Sequence, residues 1–217
     1  MTVLSKEKVI TLLEERKIDE LADMIAKKRS AMRYLNRLLY DRDNILSWLA
    51  IEALGAVADR IAGEDPEAVR VILRNLLWSV NDESGGIGWG APQGIGEIVY
   101  CRPDLFGEFA SVILSYADEE MIRRGVLWAA GRIAQADPGL VKDDAKKLAE
   151  YLNDPDPVVR GYTVRFLDIA GEIPDIDRDS RLLQDRGTVP VYENGRLIEV
   201  TVAELASRWL EKYKKRL

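Results

Sequence analysis

Six of the chain's sixteen glycines crowd one stretch, NDESGGIGWGAPQGIGE, from Asn81 to Glu97. Unencumbered glycine N–H groups leading into a helix can hold an anion, and Asn81, Asp82, Glu83 and Trp89 could grip a partner. A phosphate-cradling loop is a poor match, because no GxxxxGK[ST] is present and no lysine follows. The dinucleotide pattern fails too, since Gln93 stands where the third glycine would be. Two readings stay open: a loop that aims Trp89 at a ligand, or glycines that let helices approach closely.

Other chemistry is narrowed by what is missing. The 217 residues include no histidine, which removes Ser-His-Asp and Cys-His catalysis, histidine proton shuttles and histidine metal ligands. One cysteine, Cys101, permits no internal disulfide and no cysteine-rich zinc site. Neither a catalytic residue, a metal site nor a cofactor is therefore expected, and a reducing cytoplasm is the expected location. A net charge of −6 disfavours nucleic acid, whose binding draws on neutralised phosphates. Charges interrupt the N-terminal MTVLSKEKVITLLEERK, so no signal peptide is expected there, and no apolar run reaches membrane-spanning length.

The elements that must position these residues are mostly helical. Four segments align on the pairs Leu54-Gly55, Ile95-Gly96, Ala130-Gly131 and Leu167-Asp168. They recur every 35 to 41 residues (41, 35 and 37), and each follows another amphipathic run. Pro155 and Pro157 shape the turn in NDPDPVVR. Two helices ahead of the repeats are expected, with Ser5 and Asp19 as N-caps. Pro92 sets a late start, near Ala91, for the helix after the glycines. After EIPDIDRDS, strands near Val189–Tyr192 and Leu197–Val200 flank Asn194-Gly195, a strong hairpin signal. Thr201 and Glu204 then form a capping box for a last helix.

The segments LNDPDPVVRGYTVRFL and LAIEALGAVA resemble the short HEAT repeats often labelled phycobilisome-lyase HEAT-like repeats, in a bacterial and archaeal branch. Arg123 and Arg160 occupy that family's arginine position, whereas Ser47 and Gly88 depart from it. The resemblance implies a mainly α fold: an α-solenoid of about four helix pairs over 30–172, capped by helices in 1–29. A connector, β-hairpin and helix complete the chain in 173–217.

The resemblance also implies that the second helix of each pair lines a concave face. Its expected outward stripe carries Trp48 and Glu52, Trp89 and Gln93, Arg124 and Trp128, then Gly161 and Arg165. Further along lie Glu97, Arg132 and Tyr100. The candidate binding set is Trp48, Glu52, Asn81, Asp82, Trp89, Gln93, Glu97, Trp128 and Arg132. Exposed indoles beside arginine suit recognition, unless a flanking helix or the C-terminal segment covers them. A non-catalytic scaffold binding a protein or peptide is the leading expectation. Handling of a small ligand or cofactor, as in the lyase relatives, is the alternative. Nucleic-acid binding in the manner of HEAT-like DNA glycosylases ranks last, and no membrane partner is expected.

Overall fold

A computed structural model describes residues 4–41, 44–80, 88–175 and 180–214. The protein is mainly helical, closing on an antiparallel β-hairpin and a final helix. It forms two compact units, Met1–Phe109 and Ala110–Leu217. None of the helices among the described residues is long and apolar enough to cross a membrane.

The N-terminal unit contains α1 (Lys6–Glu14), α2 (Ile18–Lys27), α3 (Met32–Leu38), α4 (Ile45–Ala62), α5 (Pro66–Val80), α6 (Ala91–Cys101) and α7 (Pro103–Phe106). Ser5 caps α1, accepting from the Lys8 N–H at 3.3 Å. The expected Asp19 cap does not form. Arg16 adopts φ 57°, and Lys17 N donates to Leu12 O. This tight left-handed turn starts α2 at Ile18, so Asp19 falls in the first turn and bonds Arg60 at 2.9 Å. A carboxylate there still complements the positive end of the helix dipole.

Helix α4, ILSWLAIEALGAVADRIA, is apolar on nearly every side, the pattern of a helix surrounded by protein. It packs on α2 and α6, with α1, α3 and α5 around it. Ala50, Ala53, Leu54 and Val57 are completely buried, as are Leu21, Ile25 and Ile95 on its neighbours. Each large side chain so buried stabilises the fold by about 1.5–3 kcal/mol. Gly55 permits the close approach of α6, because a Cβ would lie 2.7 Å from Glu97 Cγ and 2.9 Å from Cys101 Sγ.

The C-terminal unit contains α8 (Phe109–Leu114, beginning at the boundary), α9 (Arg123–Ala136), α10 (Lys142–Leu148), α11 (Pro157–Ala170), strands β1 (Thr188–Glu193) and β2 (Arg196–Thr201), and α12 (Val202–Lys214). Helix α11 packs against α9 on one side and against α12 and β1 on another. The hairpin turn puts both Asn194 (φ 50°) and Gly195 (φ 77°) in the left-handed region, as a type I′ turn requires. Val189 pairs with Val200 and Val191 with Ile198. Val189, Val191 and Val200 are buried, so this otherwise marginal hairpin is held by its docking. Thr201 and Glu204 form the capping box: Thr201 N donates to Glu204 Oε2 at 2.7 Å, and Glu204 N to Thr201 Oγ1 at 3.2 Å. Trp209 is 1% exposed and donates from Nε1 to Glu172 O at 2.9 Å.

Two arginines make the same clasp in successive helix pairs. Arg123 donates to Ala117 O (2.8 Å) and Asp118 O (2.9 Å), six and five residues earlier. Arg160 donates to Asp154 O (2.7 Å) and Pro155 O (2.9 Å), again six and five residues earlier. Each then pairs with a carboxylate from the next element, Asp154 at 3.0 Å and Asp185 at 2.6 Å. Those carboxylates match as well, each accepting from the N–H two residues on, Asp156 and Gly187. The 3-10 turn Ser180–Gln184 thus leads into Asp185 as Ala149–Asn153 leads into Asp154.

Burial pushes the Asp185 carboxyl up, but the Arg160 hydrogen bond, the Gly187 N–H and the Arg160 charge together outweigh it and hold the pKa below the ordinary value. A depressed folded pKa contributes stability that is complete above the unfolded value of about 3.9. That contribution disappears as pH falls through the folded pKa. Urea melts at stepped pH should therefore show Asp185→Asn losing less stability than wild type as pH drops from about 5 to about 2. Parallel acid limbs for the two proteins would contradict this.

Candidate functional site

The candidate residues of the N-terminal unit belong to α4, α6 and the residues just before α6. Trp48 is 5% exposed, and Glu97 is 4% exposed beside Gly55. Trp48 therefore does not lie on an open stripe. The N-terminal helices α1 and α2 pack on α4, whose accessible residues are Ile45, Leu46, Glu52, Ala56, Asp59 and Arg60. Glu52 is half-buried, and its two oxygens accept from Arg16 at 2.5 and 3.0 Å.

Helix α6 starts at Ala91, with Gly90 as its N-cap. Gly90 N donates to Leu39 O at 2.8 Å, and a Cβ on Gly90 would lie 3.1 Å from that oxygen. A Cβ on Gly94 would meet Leu54 Cδ2 at 2.9 Å. At these positions glycine serves close packing. Trp89 is half-buried just ahead of the helix, and Gln93 is half-buried one turn in, with its Oε1 buried and without a hydrogen-bond partner. Asn81 and Asp82, with Glu83, Gly85 and Gly86, lie outside the described residues.

Trp128 and Arg132 belong to the C-terminal unit. Trp128 is 9% exposed, so the open stripe expected on α9 is not formed there either. Arg132 is half-buried and donates from Nη1 to Gln135 at 2.7 Å, while Arg124 pairs with Asp156. On α11 the stripe is covered by the chain's own hairpin. Gly161 lies directly beneath Val189, too close to admit a Cβ without displacing it, and Tyr162 donates from its buried hydroxyl to Pro190 O at 2.6 Å. Burial pushes the Tyr162 phenol far above its ordinary pKa, so it remains a donor.

Where the hairpin meets α11 and α12 it leaves a cavity of about 240 Å³. Val164, Ile169, Val191, Ile198, Val200 and Leu205 supply apolar walls. Arg165, Asp168, Glu193, Arg208 and Gln135 complete them. Lys212 holds Asp168 at 2.7 Å. Arg165 reaches Glu193 only at 3.4 Å, and its buried Nη1 has no hydrogen-bond partner. Burial pushes the Arg165 guanidinium below its ordinary pKa; Glu193 opposes this, and the like charges of Arg132 and Arg208 add to it. An arginine normally presents five N–H donors that must be met. This one is underpartnered inside a partly apolar cavity.

Sequence reasoning missed this cavity, and it missed Trp78. That indole is 78% exposed on α5, one helical face with Val71 at 45%. Its signal was present: Val71, Arg74 and Trp78 follow the polar spacing of an otherwise amphipathic helix. Among the described residues, no group of three or more His, Cys, Asp or Glu side chains is placed to hold a metal ion.

The chain is 28% identical over 170 residues to an uncharacterized protein of Archaeoglobus fulgidus, a match covering 77% of this chain and 88% of that one. No family model matches the chain, and no solved structure does.

Proposed function

We propose that this protein is a non-catalytic α-solenoid module of HEAT-like repeats that binds a protein or peptide. The observation that carries the repeat reading is the arginine clasp, made twice with the same carbonyl offsets. Ion pairs in the N-terminal unit add to it. Arg16–Glu52, Arg29–Asp65, Arg60–Asp23 and Arg70–Glu108 join residues 36, 36, 37 and 38 positions apart, one repeat length. Exposed pairs contribute only about 0–1 kcal/mol each, so their value here is as markers of register. In repeat proteins each unit contacts its neighbours and leaves long surfaces for partners. A cytoplasmic location accords with the chain's single cysteine, which permits no internal disulfide.

Recognition is assigned to Trp78 and Trp89, which stand on either side of the segment 81–87. This replaces Trp48 and Trp128 as anchors, because indoles at 5% and 9% exposure have little surface to offer. Trp78 has that surface and Arg74 beside it, the pairing enriched in binding hot spots. The test is affinity purification from native cells with mass spectrometry, then titration of the recovered partner. Trp78→Ala should weaken binding by roughly thirtyfold. Its stability should stay within about 0.5 kcal/mol of wild type. Unchanged affinity for Trp78→Ala and Trp89→Ala alike would remove this surface from the reading.

A further inference from the structure

We propose that the cavity between α11, the β-hairpin and α12 binds a small organic monocarboxylate with a compact apolar body. The buried Arg165 Nη1 has no hydrogen-bond partner, and Nη2 makes only one long contact, to Glu193 at 3.4 Å. A carboxylate can accept from both nitrogens in the bidentate geometry that guanidinium favours. Arg132 and Arg208 lie near enough to perturb Arg165 electrostatically, so a monoanion would relieve repulsion among three positive groups.

Charge also limits the ligand. Asp168 and Glu193 share the walls, and although Lys212 neutralises Asp168, Glu193 remains at Arg165. A phosphate dianion would meet about twice the repulsion from Glu193 that a monoanion meets. The remaining lining is aliphatic: Val164, Ile169, Val191, Ile198, Val200 and Leu205. A dry cavity of about 150 Å³ is enough for benzene. The 240 Å³ here accommodates a ring and a carboxylate arm. The inference is independent of the protein-binding proposal, since every wall lies within Ala110–Leu217 and Trp78 lies within Met1–Phe109.

The experiment is a two-dimensional NMR titration of the full chain with sodium phenylacetate, using phenylacetamide and inorganic phosphate as separate controls. Phenylacetate should saturate with a dissociation constant of about 1 mM or below, shifting amides of α11, the hairpin and α12. Phenylacetamide and phosphate should each bind at least roughly tenfold more weakly. Glu193→Gln removes the competing carboxylate and should tighten phenylacetate binding by about threefold to tenfold. Arg165→Gln should weaken it by at least roughly tenfold. Ile198→Glu provides a check that does not disturb the core, because Ile198 is 44% exposed at the rim; it should abolish binding while leaving the rest of the spectrum in place. Absence of saturable shifts in both wild type and Glu193→Gln overturns the proposal. So does equal binding of phenylacetamide, preferential binding of phosphate, or unchanged affinity in Ile198→Glu.

Discussion

Replacing Trp48 or Trp128 by alanine is expected to lower the unfolding free energy by about 3–5 kcal/mol, while partner binding by the protein that remains folded is unchanged. Both indoles are in the core, at 5% and 9% exposure. Trp48 sits on α4 among α1, α2, α3, α5 and α6; Trp128 sits on α9, which packs against α11. Removing a large buried side chain loses its transfer free energy and leaves a void that neighbours fill only partly. A protein of this kind has about 5–15 kcal/mol of stability in all, so either loss is a large share of it. Urea melts monitored by circular dichroism measure the effect directly. Trp78→Ala, with its indole 78% exposed, supplies the comparison from the same residue type. A loss below about 1 kcal/mol at Trp48 or Trp128 would return those indoles to the surface and reopen the stripe as a binding face.

That contrast locates what was legible in the sequence and what was not. The hairpin, the Thr201–Glu204 capping box, the Ser5 cap and the start of α6 at Ala91 were all readable, because each is dictated by residues within four positions of one another. Asp19 failed as a cap because a left-handed Arg16, a residue with no glycine-like signal, moved the helix start two positions earlier. Solvent exposure of the stripe was not readable for a different reason. An α-helix such as α4, apolar on almost every side, does not reveal which neighbour covers which face. Five helices pack around α4 and leave Trp48 5% exposed, and Val189 of the hairpin covers Gly161. The Arg165 cavity was hidden for the same reason. Its polar contacts, Arg165 to Glu193 and Lys212 to Asp168, join residues 28 and 44 positions apart. A glycine cluster permits either a ligand loop or close packing; at Gly90 and Gly94 the backbone and leucine atoms on the far side favour packing.

Arg160→Ala is expected to cost about 3 kcal/mol and to loosen the docking of the hairpin and α12. The guanidinium joins three acceptors from two elements: the carbonyls of Asp154 and Pro155, and the Asp185 carboxylate. Its side chain is 19% exposed and that of Asp185 is 15% exposed, so water replaces little of what is lost. Removing the arginine leaves a largely buried carboxylate without its counter-charge, which costs far more than the roughly 0–1 kcal/mol of an exposed pair. Asp185 also anchors the hairpin and α12. Its backbone oxygen accepts from Ala203 N in the first turn of α12, and its side chain accepts from Gly187 N just before β1. The disturbance should therefore spread along 180–205, seen as faster amide hydrogen exchange there. Arg160→Lys should recover only part of the loss, because an ammonium cannot present the fixed fork that spans these acceptors. A double-mutant cycle with Asp185→Ala isolates the pair, and a coupling of about 1–3 kcal/mol is expected. Arg123→Ala should cost a similar amount through Asp154, the equivalent carboxylate one pair earlier. If Arg160→Ala costs under about 1 kcal/mol with no coupling to Asp185, the clasp marks register without holding the C-terminal segment in place.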